Sequence, residues 1–156
     1  MRILGICGSL RKDSTNWLLL TEAQKLTPRA QWTFADLSVL PWFRPEDQFS
    51  EKVPKVVTEL RGLASAADLI VIATPEYAHS MPGILKNGLE WTFCEGTMKK
   101  PVKLLIGSGQ GEHTRTQLLE TLRTMDFLIE DKDAVIFTGL RAGITEIHHE
   151  QIRKLF

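Results

Sequence analysis

Four short apolar runs, at residues 3–7, 69–73, 102–106 and 135–137, constrain the fold of this chain more than any other feature. They are rich in Val and Ile, and they are apolar at successive positions rather than at every second one. A strand reads this way when both of its faces are covered, as in a parallel sheet whose helices carry the chain back across it. The intervening segments supply such helices. Val53, Val56, Val57, Leu60 and Ala64 recur at helical spacing, with Pro54 at a tolerated first-turn position. Leu19, Ala23 and Leu26 mark another helix, Leu118, Leu119, Leu122 and Met125 a third, and Ile84, Leu85, Leu89 and Trp91 a less regular fourth.

A weaker, alternating run at residues 32–37 reads as an edge strand. Strand and helix therefore alternate along the chain, and right-handed crossovers wind such a pattern into a doubly covered sheet. With the weak second strand at one edge, the expected architecture is a flavodoxin-like α/β sandwich of three layers. Its five parallel strands take the order 2-1-3-4-5, with a switch point between strands one and three. Residues 40–53, with Pro41 and Pro45, read as a long surface connection, and residues 145–156 as a small last helix. A chain of 156 residues is expected to form one domain, 1–156.

Composition narrows the function. Lys+Arg and Asp+Glu both number 19, so the formal net charge is zero, which argues against a nucleic-acid partner. Near-neutral surfaces tend to associate, which makes a homo-oligomer an expectation. The two cysteines, Cys7 and Cys94, cannot build a zinc cluster or a disulfide framework by themselves, and Cys7 reads as a small core residue. His148 and His149 are adjacent rather than four apart, so no metal site is assigned. No apolar stretch approaches a membrane span, and the chain begins on strand residues, so no membrane partner and a cytoplasmic location are expected.

Two loops carry the chemistry. The first, Gly8-Ser9-Leu10-Arg11-Lys12-Asp13-Ser14-Thr15-Asn16, follows strand one and leads into a helix. A helix starting near Ser14 directs unpaired N–H groups and partial positive charge into the cleft. The hydroxyls of Ser9, Ser14 and Thr15 add donors, Arg11 adds a charge-assisted contact, and Asn16 either caps the turn or reaches a ligand. Together they suit a phosphate monoester.

The second loop follows strand three as Pro75-Glu76-Tyr77-Ala78-His79-Ser80, with Met81-Pro82-Gly83 opening the next helix and Ser80 as its expected N-cap. Tyr77 offers an aromatic wall, and the N–H groups after it suit a heteroaromatic edge. A third corner, Gly107-Ser108-Gly109-Gln110-Gly111, is glycine-rich, as a close backbone approach to a ligand requires. Glu112 stands where a dinucleotide fingerprint needs its third glycine, so a separate NAD site of that type is not expected. His113 either caps the following helix or touches a ligand. In a parallel sheet all three loops open on the same carboxyl edge. A phosphorylated planar cofactor fits that edge, and flavin mononucleotide (FMN) is the obvious candidate.

These motifs resemble the NAD(P)H-dependent FMN reductase family, related to azo-dye, quinone and chromate reductases. The likeness rests on Gly8-Ser9-Leu10-Arg11-x-x-Ser14-x-Asn16 and on Thr74-Pro75-Glu76-Tyr77. It continues through Pro82-Gly83-x-Leu85-Lys86-Asn87 to Trp91, and through Lys100-Pro101-Val102. It implies that Ser9, Arg11, Ser14, Thr15 and Asn16 bind the FMN phosphate. It further implies that Pro75, Glu76, Tyr77, Ala78, His79 and Ser80, with Ser108, Gly109, Gln110 and Gly111, line the ring. The implied electron donor is NADPH or NADH, the implied partner a small-molecule electron acceptor such as free flavin or a quinone, and the implied assembly a homodimer or homotetramer. The chain departs from the family pattern in three places: Ala78 replaces the usual Asn, Glu112-His113 replaces a frequent Gly-Gly, and the last helix is short.

The expected reaction is hydride transfer from NAD(P)H to bound FMN and onward to an acceptor, with no catalytic side chain assigned. The alternative is a non-catalytic FMN-binding electron carrier or a redox-responsive interaction protein. A cysteine phosphatase is disfavoured, because Asp13 rather than Arg stands six residues after Cys7.

Overall fold

Each of the apolar runs becomes a strand. The computed structural model describes residues 1–156, and in it β1 (Arg2–Cys7), β2 (Gln31–Ala35), β3 (Leu69–Thr74), β4 (Val102–Gly107) and β5 (Ala134–Phe137) form one parallel sheet. Its order is β2-β1-β3-β4-β5, as the sequence pattern predicts. The connecting helices are α1 (Thr15–Leu26), α2 (Lys55–Ala66), α3 (Gly83–Thr92), α4 (Glu112–Thr124) and α5 (Glu146–Arg153).

The two-residue period of the strands sorts their side chains into two cores. Leu4, Ile6, Ile70, Ile72, Leu104 and Ile106 face one way and pack with Val57 and Leu60 of α2, Leu85 and Leu89 of α3, and Leu118 and Leu122 of α4. Ile3, Cys7, Val71, Ala73, Leu105 and Phe137 face the other way, against Leu19, Leu20 and Ala23 of α1 and Ile152 of α5. Burial on both faces is why these runs show no alternation. On β2, exposed and half-buried positions alternate from Gln31 to Phe34, as suits an edge. A Cβ on Gly5 would stand 2.5 Å from Phe34 Cδ1, so only glycine there lets the Phe34 ring lie across β1.

The second strand ends one residue short of Asp36, whose Oδ1 accepts the Ser38 N–H at 2.9 Å and turns Leu37 inward. Pro54 is the N-cap of α2 rather than a first-turn residue. Ser80 does not cap α3: its N–H and C=O both pair with Tyr77 across a tight turn, and Pro82 takes the cap position. The residue before a proline avoids helical geometry, which delays the helix until Gly83.

The long connection after β2 is tied down by α3. Trp91, 1% exposed, donates Nε1–H to Pro41 O at 2.8 Å. The Asn87 amide donates to the same oxygen at 3.0 Å and accepts the Phe43 N–H at 2.7 Å.

Candidate functional site

At the carboxyl edge of the sheet, the loops after β1, β3, β4 and β5 enclose a cavity of about 530 Å³. It is larger than the groove of about 440 Å³ between α3 and α4. Of the residues singled out from sequence, Ser9, Arg11, Ser14, Thr15, Asn16, Pro75, Glu76, Tyr77, Ser108 and Gly109 line it. Ala78, His79, Ser80, Gln110 and Gly111 do not; they form the turns just behind its rim. Gly107, which opens the glycine-rich corner, lines it too, and Phe137, Gly139, Leu140 and Arg141 line it without having been singled out.

The first loop is built as a donor cluster. Ser14 caps α1, its Oγ accepting the Trp17 N–H at 3.2 Å. The N–H groups of Thr15 and Asn16 find no intramolecular acceptor, so the positive end of the helix opens on the cavity. Arg11 is exposed and meets Asp13 at 3.4 Å, a surface contact weak enough to yield to a stronger anion. Asn16 is buried, and its Oδ1 accepts the Gly107 N–H at 3.3 Å, tying α1 to the end of β4. A Cβ on Gly107 would lie 2.6 Å from that oxygen, so glycine is what permits the contact.

The thiol of Cys7 lies beneath this loop. Burial pushes it up from its ordinary value despite the backbone N–H of Ser9 nearby. A thiol held protonated is a poor nucleophile, in keeping with the misplaced arginine.

The loop after β3 is anchored by one buried carboxylate. Glu76, its side chain 6% exposed, accepts the Thr114 N–H at 2.9 Å and so binds the start of α4 from another loop. Burial alone would push this carboxyl up. The N–H groups of Thr114 and Gly111, with His113 nearby, outweigh that and hold it below its ordinary value. His79 Nδ1 stands 3.6 Å from the same carboxylate, and its ring meets that of His113 edge-on at 4.6 Å. His113, the second residue of α4, thus belongs to this rim cluster.

Between Tyr77 and Ser80 the chain reverses through Ala78 (φ 49°) and His79 (φ 58°), the two left-handed residues of a type I′-like turn. A left-handed residue with a Cβ is strained, whereas Asn adopts this region readily. Replacing Ala78 with Asn is expected to stabilise the protein by about 0.5–1 kcal/mol, raising the thermal midpoint by about 1–4 °C. A calorimetric scan that shows no rise would refute this account of the turn.

The third corner is open. Ser108 N–H donates to Phe137 O at 3.2 Å, joining the loops after β4 and β5. Gly111, with φ 89°, is the N-cap of α4. A Cβ on Gly109 would meet no atom within 4 Å, so the missing side chain leaves cavity space free. The lining is thus a phosphate-type donor cluster at one end and an aromatic and backbone-rich corner at the other. No helix is long and apolar enough to cross a membrane.

The chain is similar to several known proteins. The chain is 41% identical over 92 residues to an NAD(P)H-dependent FMN reductase, PA1204, of Pseudomonas aeruginosa, covering 58% of this chain and 49% of that one. It is 34% identical over 93 residues to a quinone reductase of Escherichia coli, covering 58% and 50%. The chain thus spans about half the length of these curated relatives. Among solved structures, FerB, a flavoenzyme NAD(P)H:(acceptor) oxidoreductase from Paracoccus denitrificans, superposes with a TM-score of 0.77. The match has 22% identity and covers 99% of this chain and 94% of that one, a likeness that speaks for the fold. Residues 1–139, which include the first three of the four loops, match the family model for NADPH-dependent FMN reductases, and the chain belongs to that family.

Proposed function

We propose that the chain binds FMN in the cavity of about 530 Å³ and uses NADPH or NADH to reduce a small-molecule acceptor, such as free flavin or a quinone. One observation carries this reading: a helix N-terminus with unpaired N–H groups and an aromatic, backbone-rich corner open into the same cavity. The residues fit the cofactor. Ser9, Arg11, Ser14, Thr15 and Asn16 form a donor set for a phosphate, and the space beside Gly109 accepts a flat ring.

When bound, FMN supplies the hydride acceptance and donation, so no side chain has to serve as acid or base. The protein's part is to hold and orient. Glu76, by gripping the start of α4, fixes the β3 and β4 loops relative to each other across the ring corner. Tyr77, 54% exposed, stands where it walls the ring while leaving the mouth accessible to a second substrate. Ala78, His79, Ser80, Gln110 and Gly111 shape the turns that present these groups. The names of the relatives support a quinone or flavin acceptor. Trp42 and Phe49, both strongly exposed on the β2–α2 connection, supply apolar area suited to a homodimer or homotetramer. A donor of this kind suits a cytoplasmic location.

The test is the visible spectrum of the protein with FMN, before and after anaerobic addition of NADPH. Bleaching that a quinone or free flavin reverses supports the enzyme. Retained FMN that NAD(P)H does not bleach, with any acceptor, favours an electron carrier instead. Failure to take up FMN removes the proposal. Replacing Arg11 with Ala is expected to weaken FMN binding by about tenfold or more, with turnover at saturating FMN little changed. Equal FMN affinity in parent and variant would contradict the phosphate assignment.

A further inference from the structure

The cavity wall has a second arginine that neither the sequence motifs nor the family match reaches. The match ends at residue 139, whereas Arg141 sits on the loop between β5 and α5 and lines the same cavity as Arg11. We propose that Arg141 supplies a second guanidinium to the phosphate of the flavin, approaching from the β5 side while Arg11 approaches from the β1 side. This deepens the FMN reading given above and rests on it.

Charge is the first argument. A phosphate monoester carries about −1.5 to −2 at neutral pH. The α1 N-terminus offers roughly half a positive charge, and Arg11 is shared with Asp13 at 3.4 Å. Glu76 is the one acidic residue on the wall, and its carboxylate is taken up by α4. One more cation balances the site. Arg2, Arg123 and Arg153 pair with carboxylates elsewhere, and Arg61 and Arg115 donate to carbonyl oxygens; of the exposed arginines without such partners, Arg29, Arg44 and Arg141, Arg141 is the one on the cavity wall.

The second argument is that the loop is held ready. Gly139 (φ 72°) and Gly143 (φ 100°) bend the chain on either side of a short turn, Leu140–Ala142. Leu140 is buried in the core beside Phe137, which fixes the turn from below. Its Cδ1 also stands 3.1 Å from where a Gly107 Cβ would be, next to Asn16. The loop after β5 therefore abuts the start of α1, where the phosphate donors are.

His148, buried on α5, spans the base of the loop. Its Nδ1 accepts the Thr145 N–H at 3.0 Å, so its hydrogen is on Nε2, which donates to Thr138 O at 2.9 Å. Both ends of the loop are pinned, and Arg141, at the middle of its turn, is exposed on the cavity wall. Little ordering is left to be done when an anion arrives.

The experiment is a pair of equilibrium titrations, with FMN and with riboflavin, which lacks the phosphate. They are run on the parent protein and on R141Q and R141K, with thermal unfolding to check the fold. Arg141 is exposed and uncommitted, so the variants are expected to melt with the parent. R141Q should bind FMN about tenfold more weakly, and riboflavin within about twofold of the parent. R141K, which keeps the charge without the fork, should recover part of the loss. Unchanged FMN affinity in R141Q overturns the proposal, and so does an equal loss for FMN and riboflavin, which would place the effect on the ring. If the parent itself takes up no FMN, the cofactor reading fails first. A parent that binds FMN beside an unaffected R141Q refutes only the role of Arg141.

Discussion

Replacing Glu76 with Ala is expected to lower stability by about 2–4 kcal/mol, far more than a surface carboxylate contributes. The side chain is 6% exposed and accepts the Thr114 N–H, so its loss leaves buried donors at the start of α4 without a partner. It also removes a negative charge from the positive end of that helix. Urea unfolding at neutral pH measures the loss.

The same group predicts a pH dependence with a definite sign. Its carboxyl lies below the ordinary value of 4.5 in the folded protein, because backbone donors outweigh the opposing effect of burial. Its contribution is therefore complete above about pH 4.5 and fades as the pH falls through the lower folded value. The Glu76→Gln variant keeps an acceptor oxygen but cannot titrate, so its stability should decline less steeply in that acid window. Parallel acid limbs for parent and Gln variant would show that Glu76 is not the titrating anchor described here.

A second large effect is expected at Trp91. Trp91→Ala should cost about 3–5 kcal/mol, since the indole is almost fully buried, meets Phe43 edge-on at 4.9 Å and holds Pro41 O. Trp91→Phe keeps much of the packing and loses the indole hydrogen bond, which predicts a deficit nearer 1 kcal/mol. Denaturant midpoints for the two variants test the split. Limited proteolysis gives a second readout: the Ala variant should be cut faster within residues 40–53, because Trp91 and Asn87 are what hold the start of that connection. Equal cleavage rates would mean that the connection is held by something else.

The sheet was legible because its signal is strong physics. Residues 3–7 and 69–73 are apolar at every position but Gly5, since both faces are covered, and only β2 alternates. The position of the loop after β1 was legible because it follows an apolar run and carries Ser14, a residue type that caps helices. What the sequence concealed depends on contacts between distant segments. Glu76 reads locally as a polar turn residue, and nothing near it announces that its partner is Thr114. Ser80 has the composition of an N-cap, yet Tyr77 consumes its backbone groups. Gly139, Leu140 and Arg141 carry no motif, and their only mark was a pair of glycines, Gly139 and Gly143, framing an arginine just past a strand. Trp91 read only as one apolar residue of a less regular helix, and its burial assigns it to the core.

No two neighbouring strands of this sheet are joined by a hairpin. Arg2 at the start of β1 meets Asp68, which precedes β3, across 66 residues of chain. Such pairings lose much loop entropy before they return any contact energy, so they come late in folding. The mouth of the cavity is assembled from four strand ends, so it is incomplete until the loop after β5 has joined the other three. A ligand that settles there bridges all four strand ends at once and so holds the whole sheet against unfolding.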